Sequence, residues 1–363
     1  MRILHIVSSP AAGGAETYLK DLCAEMKSAG SCISILFMSS ASDIGRCPKF
    51  EKSYLEFLQE CNITYYIMPS GANRNILKGG RYFKSVLREV TPQIIHTHLL
   101  SAVVYTRIFG STIPHVYTHH MSVVNINHFV FKLLISKCKC IIAISKRCEE
   151  LLTEFHPRIK LIYNAVNTER IMPKKGQFFG NKIIAVGRFS EPKNYPLLID
   201  SIAKLNQMLD THFVLNIVGE GSLADTKILV EQVNKLGLSE KVIFLGNRND
   251  VPYLLSEADI FVMSSSSEGL PISLIEAQMS GLPAVVTDVG SCGEFIDITK
   301  GGLVVKPESS DELSNALNKL ILDIKLRNDL SMNALSNTSD FDIKNCAQIH
   351  QMFYKELANN EWT

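Results

Sequence analysis

The stretch Ser267-Glu268-Gly269-Leu270-Pro271-Ile272-Ser273-Leu274-Ile275-Glu276 decides how this chain folds. Ala258–Met263 before it is an apolar run short enough for a buried strand. Ala277, Gln278 and Met279 after it continue a helix, and Gly281 with Pro283 end that helix. A strand therefore feeds a tight loop, and the loop opens a helix. Pro271 suits the first helical position, where a missing N–H has no partner to lose. A helix start has free N–H groups and a positive dipole end, which makes it a ready anion site. Glu268 stands before that start, and Glu276 lies about one and a half turns inside the helix. Glu276 sits among Leu274, Ile275 and Ala277, where a carboxylate needs hydrogen-bond donors; a sugar hydroxyl is one such donor.

Working outward, the same strand–loop–helix unit repeats on both sides. Downstream of Asn181 come strands at Lys182–Val186, Phe213–Val218, Val242–Leu245, Pro283–Thr287 and Gly302–Val305, with helices between most of them. Upstream, strands at Arg2–Ser8, Ser31–Met38, Thr64–Met68, Gln93–His98, Pro114–His120, Ile141–Ser145 and Ile159–Tyr163 alternate with helices. Such alternation implies parallel sheets. Asn164–Asn181, with Pro173, Lys174, Lys175 and Gly176, breaks the rhythm and reads as a linker. The fold expected is α/β, with two Rossmann-like halves facing across a cleft. Its domains are residues 1–166, a linker at 167–181, a second domain at 182–340, and C-terminal helices at 341–363 packing back towards the first.

A chain of 363 residues is long enough for two cores, and 46% apolar content is that of a folded globular protein. The net charge of +1 hides an asymmetry. Residues 1–166 carry 19 Lys and Arg against 11 Asp and Glu, whereas the remainder carries 18 against 25. An anionic partner is therefore expected at the first half only. Nucleic acid is the weaker candidate, because the basic residues lack interleaved aromatics on one face. An anionic membrane surface is the stronger one, and His128–Cys140, with Phe129, Phe131, Leu133 and Leu134 beside Lys132, Lys137 and Lys139, is both apolar and basic. The same stretch also reads as a core helix with its lysines in solvent. Nine cysteines without framework spacing point to a reducing compartment. The opening Met1–Val7 reads as a strand and not as a signal peptide, and no run reaches the ~18 apolar residues that a membrane span needs.

In open parallel sheets ligands bind beyond the carboxyl ends of the strands. Arg188 and Lys193 follow one such end, and together with the helix start after Glu268 they make a cationic seat for a diphosphate. His98, His119 and His120 end two strands of the first half. Gly13-Gly14 allows close backbone approach to a phosphate. The dinucleotide fingerprint Gly-x-Gly-x-x-Gly is missing there, and no acidic residue ends the second strand. Asp340-Phe341-Asp342 is far along the chain from any phosphate loop, and no metal site or cofactor is expected.

These motifs together are carried by a known family. Glu268-x7-Glu276, Val186-Gly187-Arg188 with Lys193, Val218-Gly219-Glu220-Gly221, Phe244-Leu245-Gly246 and Gly13-Gly14-x-Glu16 resemble the retaining GT-B glycosyltransferases of family 4. His96-x-His98, Thr118-x-His120 and Asn164-Ala165-Val166-Asn167 extend the likeness, with departures from the family pattern at Met121, Ala165 and Asn167. The resemblance implies a GT-B fold, a donor domain in the second half and an acceptor domain in the first. Arg188 and Lys193 would bind the donor diphosphate, and Gly14 would approach it through its backbone. Glu268 would contact the donor sugar, Glu276 the ribose hydroxyls, and Asn247 and Arg248 would lie near the base. Gly219, Gly269, Leu270, Pro271 and Ile272 complete the implied donor contacts. His120 would lie at the sugar near the reaction centre, with His119 as the fallback. The implied activity is metal-independent transfer of a sugar from a nucleotide-sugar, first a UDP-sugar, to a glycan or lipid-linked saccharide. The implied setting is cell-surface polysaccharide synthesis on the cytoplasmic face of the plasma membrane. Two other readings stay open: a nucleotide-sugar epimerase on the same fold, and a non-catalytic nucleotide-sugar-binding partner subunit.

Overall fold

A computed structural model describes residues 1–11, 13–110, 112–174 and 178–359. It contains two compact units. The first is Met1–Ala165 with the segment that starts at Ile343; the second is Val166–Asp342. Ala12 of the glycine turn, Lys175 and Gly176 of the linker, and Trp362 near the end lie outside the described residues.

The first unit is built on β1 (Arg2–Val7), β2 (Cys32–Phe37), β3 (Thr64–Ile67), β4 (Ile94–Thr97), β5 (His115–His119), β6 (Cys140–Ala143) and β7 (Ile159–Leu161). Every pairing is parallel, and the strand order is β3-β2-β1-β4-β5-β6-β7. Strands such as β1 and β6 are mainly apolar because both faces of a parallel sheet are covered by helices, whereas β4 and β5 carry His96, Thr97, His115, Thr118 and His119. Ile3, Leu4, Ile6, Ile95, Ile141 and Ala143 are fully buried. Register sets His5 beside His96 and Ile6 beside Thr97, so polar side chains line up across the centre of an otherwise apolar sheet. The helix Ile343–Ala358 returns to this unit and buries Cys346, Ala347, His350, Phe353, Tyr354 and Leu357. It is tied to the first helix, Gly14–Ser28, where Gln351 Nε2 donates to Met26 O at 3.2 Å and Tyr18 Oη meets Cys346 Sγ at 3.3 Å.

The second unit repeats the plan with β8 (Lys182–Val186), β9 (Val214–Val218), β10 (Val242–Gly246), β11 (Ile260–Met263), β12 (Ala284–Thr287) and β13 (Gly302–Val305). The order is β10-β9-β8-β11-β12-β13, again all parallel. In both sheets the order reverses once, between β1 and β4 and between β8 and β11. Helices there leave towards opposite faces, so a crevice opens at the carboxyl ends of those strands. The chain enters and leaves the second unit at adjacent points: Val166 N donates to Phe341 O at 3.0 Å, and Thr168 Oγ1 donates to Asp342 Oδ2 at 3.0 Å. The linker is docked on this unit. Lys174 Nζ lies 2.9 Å from Asp259 Oδ1, and Asp259 Oδ2 accepts from the N–H groups of Asn181 and Lys182 at 3.1 Å each.

One helix escapes the periodicity. Cys292–Thr299 is an α-helix between β12 and β13. Gly293 in its first turn and Ile296, Ile298 and Thr299 are weak helix formers, and tertiary burial of Cys292, Phe295 and Ile296 overrides that preference. Pro271 is also shifted. It stands at the N-cap with extended backbone, φ −71° and ψ 126°, and the helix Ile272–Met279 begins one residue later than the sequence indicates. All nine cysteines are free thiols.

Candidate active site

In the second unit three loops converge at the carboxyl ends of β8, β11 and β12. The β8 loop runs through Gly187 and Arg188 to Asn194, which takes the left-handed conformation (φ 46°) and caps the helix Tyr195–Met208 with its side chain. Ser264 Oγ, just after β11, donates to Lys193 O at 3.0 Å and Asn194 O at 3.1 Å. Ser266 N donates to Pro192 O at 2.8 Å. The β12 loop closes from the other side: Ser291 N donates to Gly269 O at 3.0 Å, and Thr287 Oγ1 to Ser265 O at 2.7 Å. Gly290, with φ +55°, passes so close that a Cβ there would stand 2.1 Å from Glu268 O. Only glycine allows both that conformation and that approach.

Within this frame Lys193 and Glu268 form an ion pair at 2.5 Å, with side chains 21% and 12% exposed. Ser265 Oγ donates to the same carboxylate oxygen at 2.6 Å. The helix Ile272–Met279 follows at once, and its N-terminus has no side-chain cap. A fixed ammonium, a fixed carboxylate and an uncapped helix start thus meet at the switch point of the sheet. Such a set is chemically suited to an anion that carries a neutral, hydroxyl-bearing substituent. Arg188 is exposed and, among the described residues, its guanidinium has no hydrogen-bond or ion-pair partner. Gly219, next to this loop at the end of β9, has φ +139°, and a Cβ there would lie 1.9 Å from Gly187 O.

Glu276 is 14% exposed and faces Arg170, whose Nη2 lies 3.8 Å from Glu276 Oε1. Sequence reasoning supplied a sugar hydroxyl for this carboxylate and overlooked Arg170. The only chain-local trace was Asn167, which caps the turn Thr168–Arg170 through Glu169 N at 2.9 Å. Ser264, Ser265 and the β12 loop were also overlooked, although the run Ser264-Ser265-Ser266 marked a polar strand end. Asn247 is exposed, 3.5 Å from Glu220 Oε1, and Arg248 makes a two-pronged pair with Asp250 at 2.6 and 2.8 Å. Arg248 is therefore already engaged by a neighbour two residues on, apart from the Lys193–Glu268 pair.

In the first unit Gly14 is exposed and opens the helix Gly14–Ser28. A Cβ on Gly13 would press on Glu16 Oε2, and burial raises the Glu16 carboxyl above its usual range. His119 is buried with both ring nitrogens bonded, to Tyr117 Oη at 3.0 Å and Val123 O at 3.1 Å. His120 is half-buried, with its Nδ1 covered, and its Nε2 meets His98 Nδ1 at 3.0 Å. The two strand-end histidines that sequence reasoning treated separately are thus in direct contact. Behind them His96 bridges Tyr354 Oη at 2.5 Å and Thr118 Oγ1 at 2.6 Å.

Comparison with known proteins gives the family. A family model described as Glycosyltransferase Family 4 matches residues 12–170, and one described as Glycosyl transferases group 1 matches residues 169–336. The chain belongs to the family 4 glycosyltransferases. It is 30% identical to the UDP-Gal:alpha-D-GlcNAc-diphosphoundecaprenol alpha-1,3-galactosyltransferase of Escherichia coli, over 56% of this chain and 55% of that one. It is 32% identical to the O-antigen biosynthesis glycosyltransferase WbnH of Escherichia coli, over 54% of this chain and 52% of that one. The chain therefore spans about half the length of these curated relatives. The structure of Anabaena Alr3699/HepE in complex with UDP-glucose superposes with a TM-score of 0.82 at 20% identity, covering 98% and 99% of the two chains. The fold is GT-B.

Buried histidines give the family 4 chain a pH signature. Burial lowers His5 and His115 to about 3, and His120 and His350 to about 4. Unfolded histidines protonate near 6.5. Between pH 6.5 and about 4 the unfolded chain holds more protons, so stability is full above pH 6.5 and falls as pH falls through that window. Each such histidine withholds about 1.4 kcal/mol per pH unit there. Thermal unfolding should show a nearly level melting temperature from pH 7.5 to about 6.5 and a drop from there to pH 5, reduced in His350→Gln; a flat profile down to pH 5 contradicts the burial of these rings as neutral groups.

Proposed function

We propose that this chain is a retaining glycosyltransferase that moves a sugar from a nucleotide-sugar, first a UDP-sugar, to a glycan or lipid-linked saccharide in cell-surface polysaccharide synthesis. The observation that carries the reading is the Lys193–Glu268 pair, held with Ser265 beside the uncapped helix start Ile272–Met279. A donor's diphosphate takes the place beside Lys193 and Arg188, and the N–H groups of the helix start face it. Glu268 then holds sugar hydroxyls and Glu276 the ribose. Gly219, Gly269, Leu270, Pro271 and Ile272 line the donor, with Asn247 and Arg248 towards the base. These roles make the second unit the donor unit and the first the acceptor unit, to which Gly14 and His120 belong. Fixed cations at a leaving diphosphate stabilise the charge that grows as the glycosidic bond breaks, and this reading assigns that task to Arg188 and Lys193 without a metal. Retention follows if the acceptor attacks from the face the diphosphate leaves, with a phosphate oxygen taking the acceptor proton. The E. coli galactosyltransferase, whose name specifies a UDP-Gal donor and a diphosphoundecaprenol-linked acceptor, supports the donor and acceptor classes.

A panel of nucleotide-sugars should raise the melting temperature for the true donor, because a ligand of the folded state alone stabilises it. With that donor, Glu268→Ala should lower transfer about 100-fold or more while keeping the wild-type melting temperature. Full activity in Glu268→Ala contradicts the assignment, and an isomerised sugar formed from donor alone makes the chain an epimerase.

The acceptor class carries a second proposal, peripheral contact with an anionic membrane on its cytoplasmic side. The helix His128–Ile135 buries Phe131 and Ile135 but leaves Phe129 76% exposed, together with Val130 and Leu133. Lys132 and Lys137 are exposed beside them. Insertion of such apolar side chains with lysines at the headgroups is the usual mode of an interfacial helix. No helix among the described residues is long and apolar enough to cross a membrane. Flotation with phosphatidylglycerol vesicles should bring the protein to the top at low salt, and Phe129→Ser with Leu133→Ser should leave it at the bottom. Failure of the wild type to float contradicts the contact.

A further inference from the structure

Arg170 ends the short turn Thr168–Arg170, and the second unit fastens that turn at several points. The Asn167 side chain caps it by accepting from Glu169 N at 2.9 Å, and Arg170 N closes it on Asn167 O at 3.1 Å. Thr168 Oγ1 donates to Asp342 Oδ2 at 3.0 Å, and Val166 N donates to Phe341 O at 3.0 Å. The backbone beneath the Arg170 side chain is therefore fixed before any ligand arrives. That side chain is 33% exposed, and its Nη2 stands 3.8 Å from Glu276 Oε1.

Glu276 has equally little freedom. It lies in the helix Ile272–Met279 between Ile275 and Ala277, both fully buried, and its own side chain is 14% exposed. A carboxylate so enclosed is costly as an anion unless a positive charge or hydrogen-bond donors answer it. An opposite charge within ~4–6 Å favours the charged form. At 3.8 Å, Arg170 Nη2 supplies that charge from beyond hydrogen-bond reach, so this pairing does not occupy a lone pair of Oε1. The Lys193–Glu268 contact at 2.5 Å is of the other kind, with the ammonium bonded directly to the carboxylate. Arg170 is also a poor anchor for the linker. Lys174 and Asp259 already hold it through a pair at 2.9 Å, with side chains only 8% and 1% exposed. A long, part-exposed pair adds about 0–1 kcal/mol to that.

We propose that Arg170 is a positioning residue for Glu276: it holds that carboxylate ionised and oriented towards a pair of neighbouring hydroxyls, and so makes the second unit select a ribonucleotide over its 2′-deoxy form. A vicinal diol is the chemistry that fits, because two O–H donors on adjacent carbons match the two oxygens of one ionised carboxylate. Arg170 offers donors only, so it acts on the diol through Glu276. Removing the 2′-hydroxyl takes one donor from a carboxylate fixed to receive it, and a site built for such a group rejects the analogue that lacks it. The proposal rests on the reading of Glu276 as the ribose contact.

Calorimetric titration of the full chain with UDP and with 2′-deoxy-UDP reads this selectivity without turnover; GDP and 2′-deoxy-GDP replace them if UDP does not bind. The wild type should hold UDP about tenfold or more tightly than 2′-deoxy-UDP, the loss of one hydrogen bond to a charged group. Arg170→Met keeps an unbranched side chain and removes the charge. It should weaken UDP about fivefold and hardly change 2′-deoxy-UDP, so that the preference shrinks to about twofold. Arg170→Lys, which keeps the charge, should restore part of it. Adding Arg170→Met to Glu276→Gln should change neither affinity further, because the two residues act as one unit. If Arg170→Met does not fold, Arg170→Gln takes its place with the same expected outcome. A residue that only docks the linker would lower the melting temperature and leave the preference intact. A full preference in Arg170→Met alongside a reduced one in Glu276→Gln therefore overturns the role of Arg170 alone. A wild type that binds UDP without preferring it to 2′-deoxy-UDP overturns the ribose role of Glu276 as well. A wild type that binds neither UDP nor GDP defeats the nucleotide-sugar reading and this proposal with it.

Discussion

The candidate site depends on the backbone stitching of three strand-end loops around Glu268. Ser264 fastens the β8 loop through two carbonyls, Ser266 fastens it again through its N–H, and Ser291 with Gly290 clamps Glu268-Gly269 from the β12 side. Main-chain bonds hold the loops in register before any side chain acts. Only then can the Lys193 ammonium and the Glu268 carboxylate stand at 2.5 Å with most of their surface removed from water. A half-buried pair of this kind contributes little net stability, because desolvation offsets attraction. Its worth lies in orientation: two charged groups wait in fixed positions for a ligand that satisfies them better.

The first unit applies the same economy of position to neutral groups. Strand register brings His5 beside His96 and Thr118 beside Ile142, and the returning helix sets Tyr354 Oη on His96 Nδ1. The result is a polar seam through the core of a parallel sheet. Most of its ring nitrogens bond one another or neighbouring hydroxyls and carbonyls, which is the condition for keeping polar atoms inside, with His5 Nε2 and His120 Nδ1 the exceptions. The closing helix Ile343–Ala358 is the C-terminal element of the chain yet completes the core of the N-terminal unit.

Much of the fold was legible in the sequence because parallel strands read as apolar runs ended by Gly, Ser or His. The run Ala258–Met263 and the helix holding Glu276 stand where the pattern puts them, within two residues. The helix Cys292–Thr299 was illegible because Gly293, Ile296, Ile298 and Thr299 are weak helix formers, and packing overrides them. The site was legible as residue types at strand ends, and less so as partners. Lys193 and Glu268 are 75 positions apart, so no local spacing announces their pairing. Arg170 was overlooked for the same reason: it sits in a segment that reads as linker, yet the fold lays it against Glu276. The histidines show the limit from the other side. Their places at strand ends were evident, but their order in a hydrogen-bonded chain comes from sheet register, which pattern alone does not reveal.

If the stitched loops are the donor seat, ligand contact must tighten them together. Hydrogen–deuterium exchange of the full chain with and without UDP tests this most directly. The account predicts added protection in three separate segments at once, residues 187–194, 264–273 and 288–291, while the buried strand cores of the second unit stay unchanged. Protection confined to one of these loops, or appearing elsewhere and sparing all three, would contradict it.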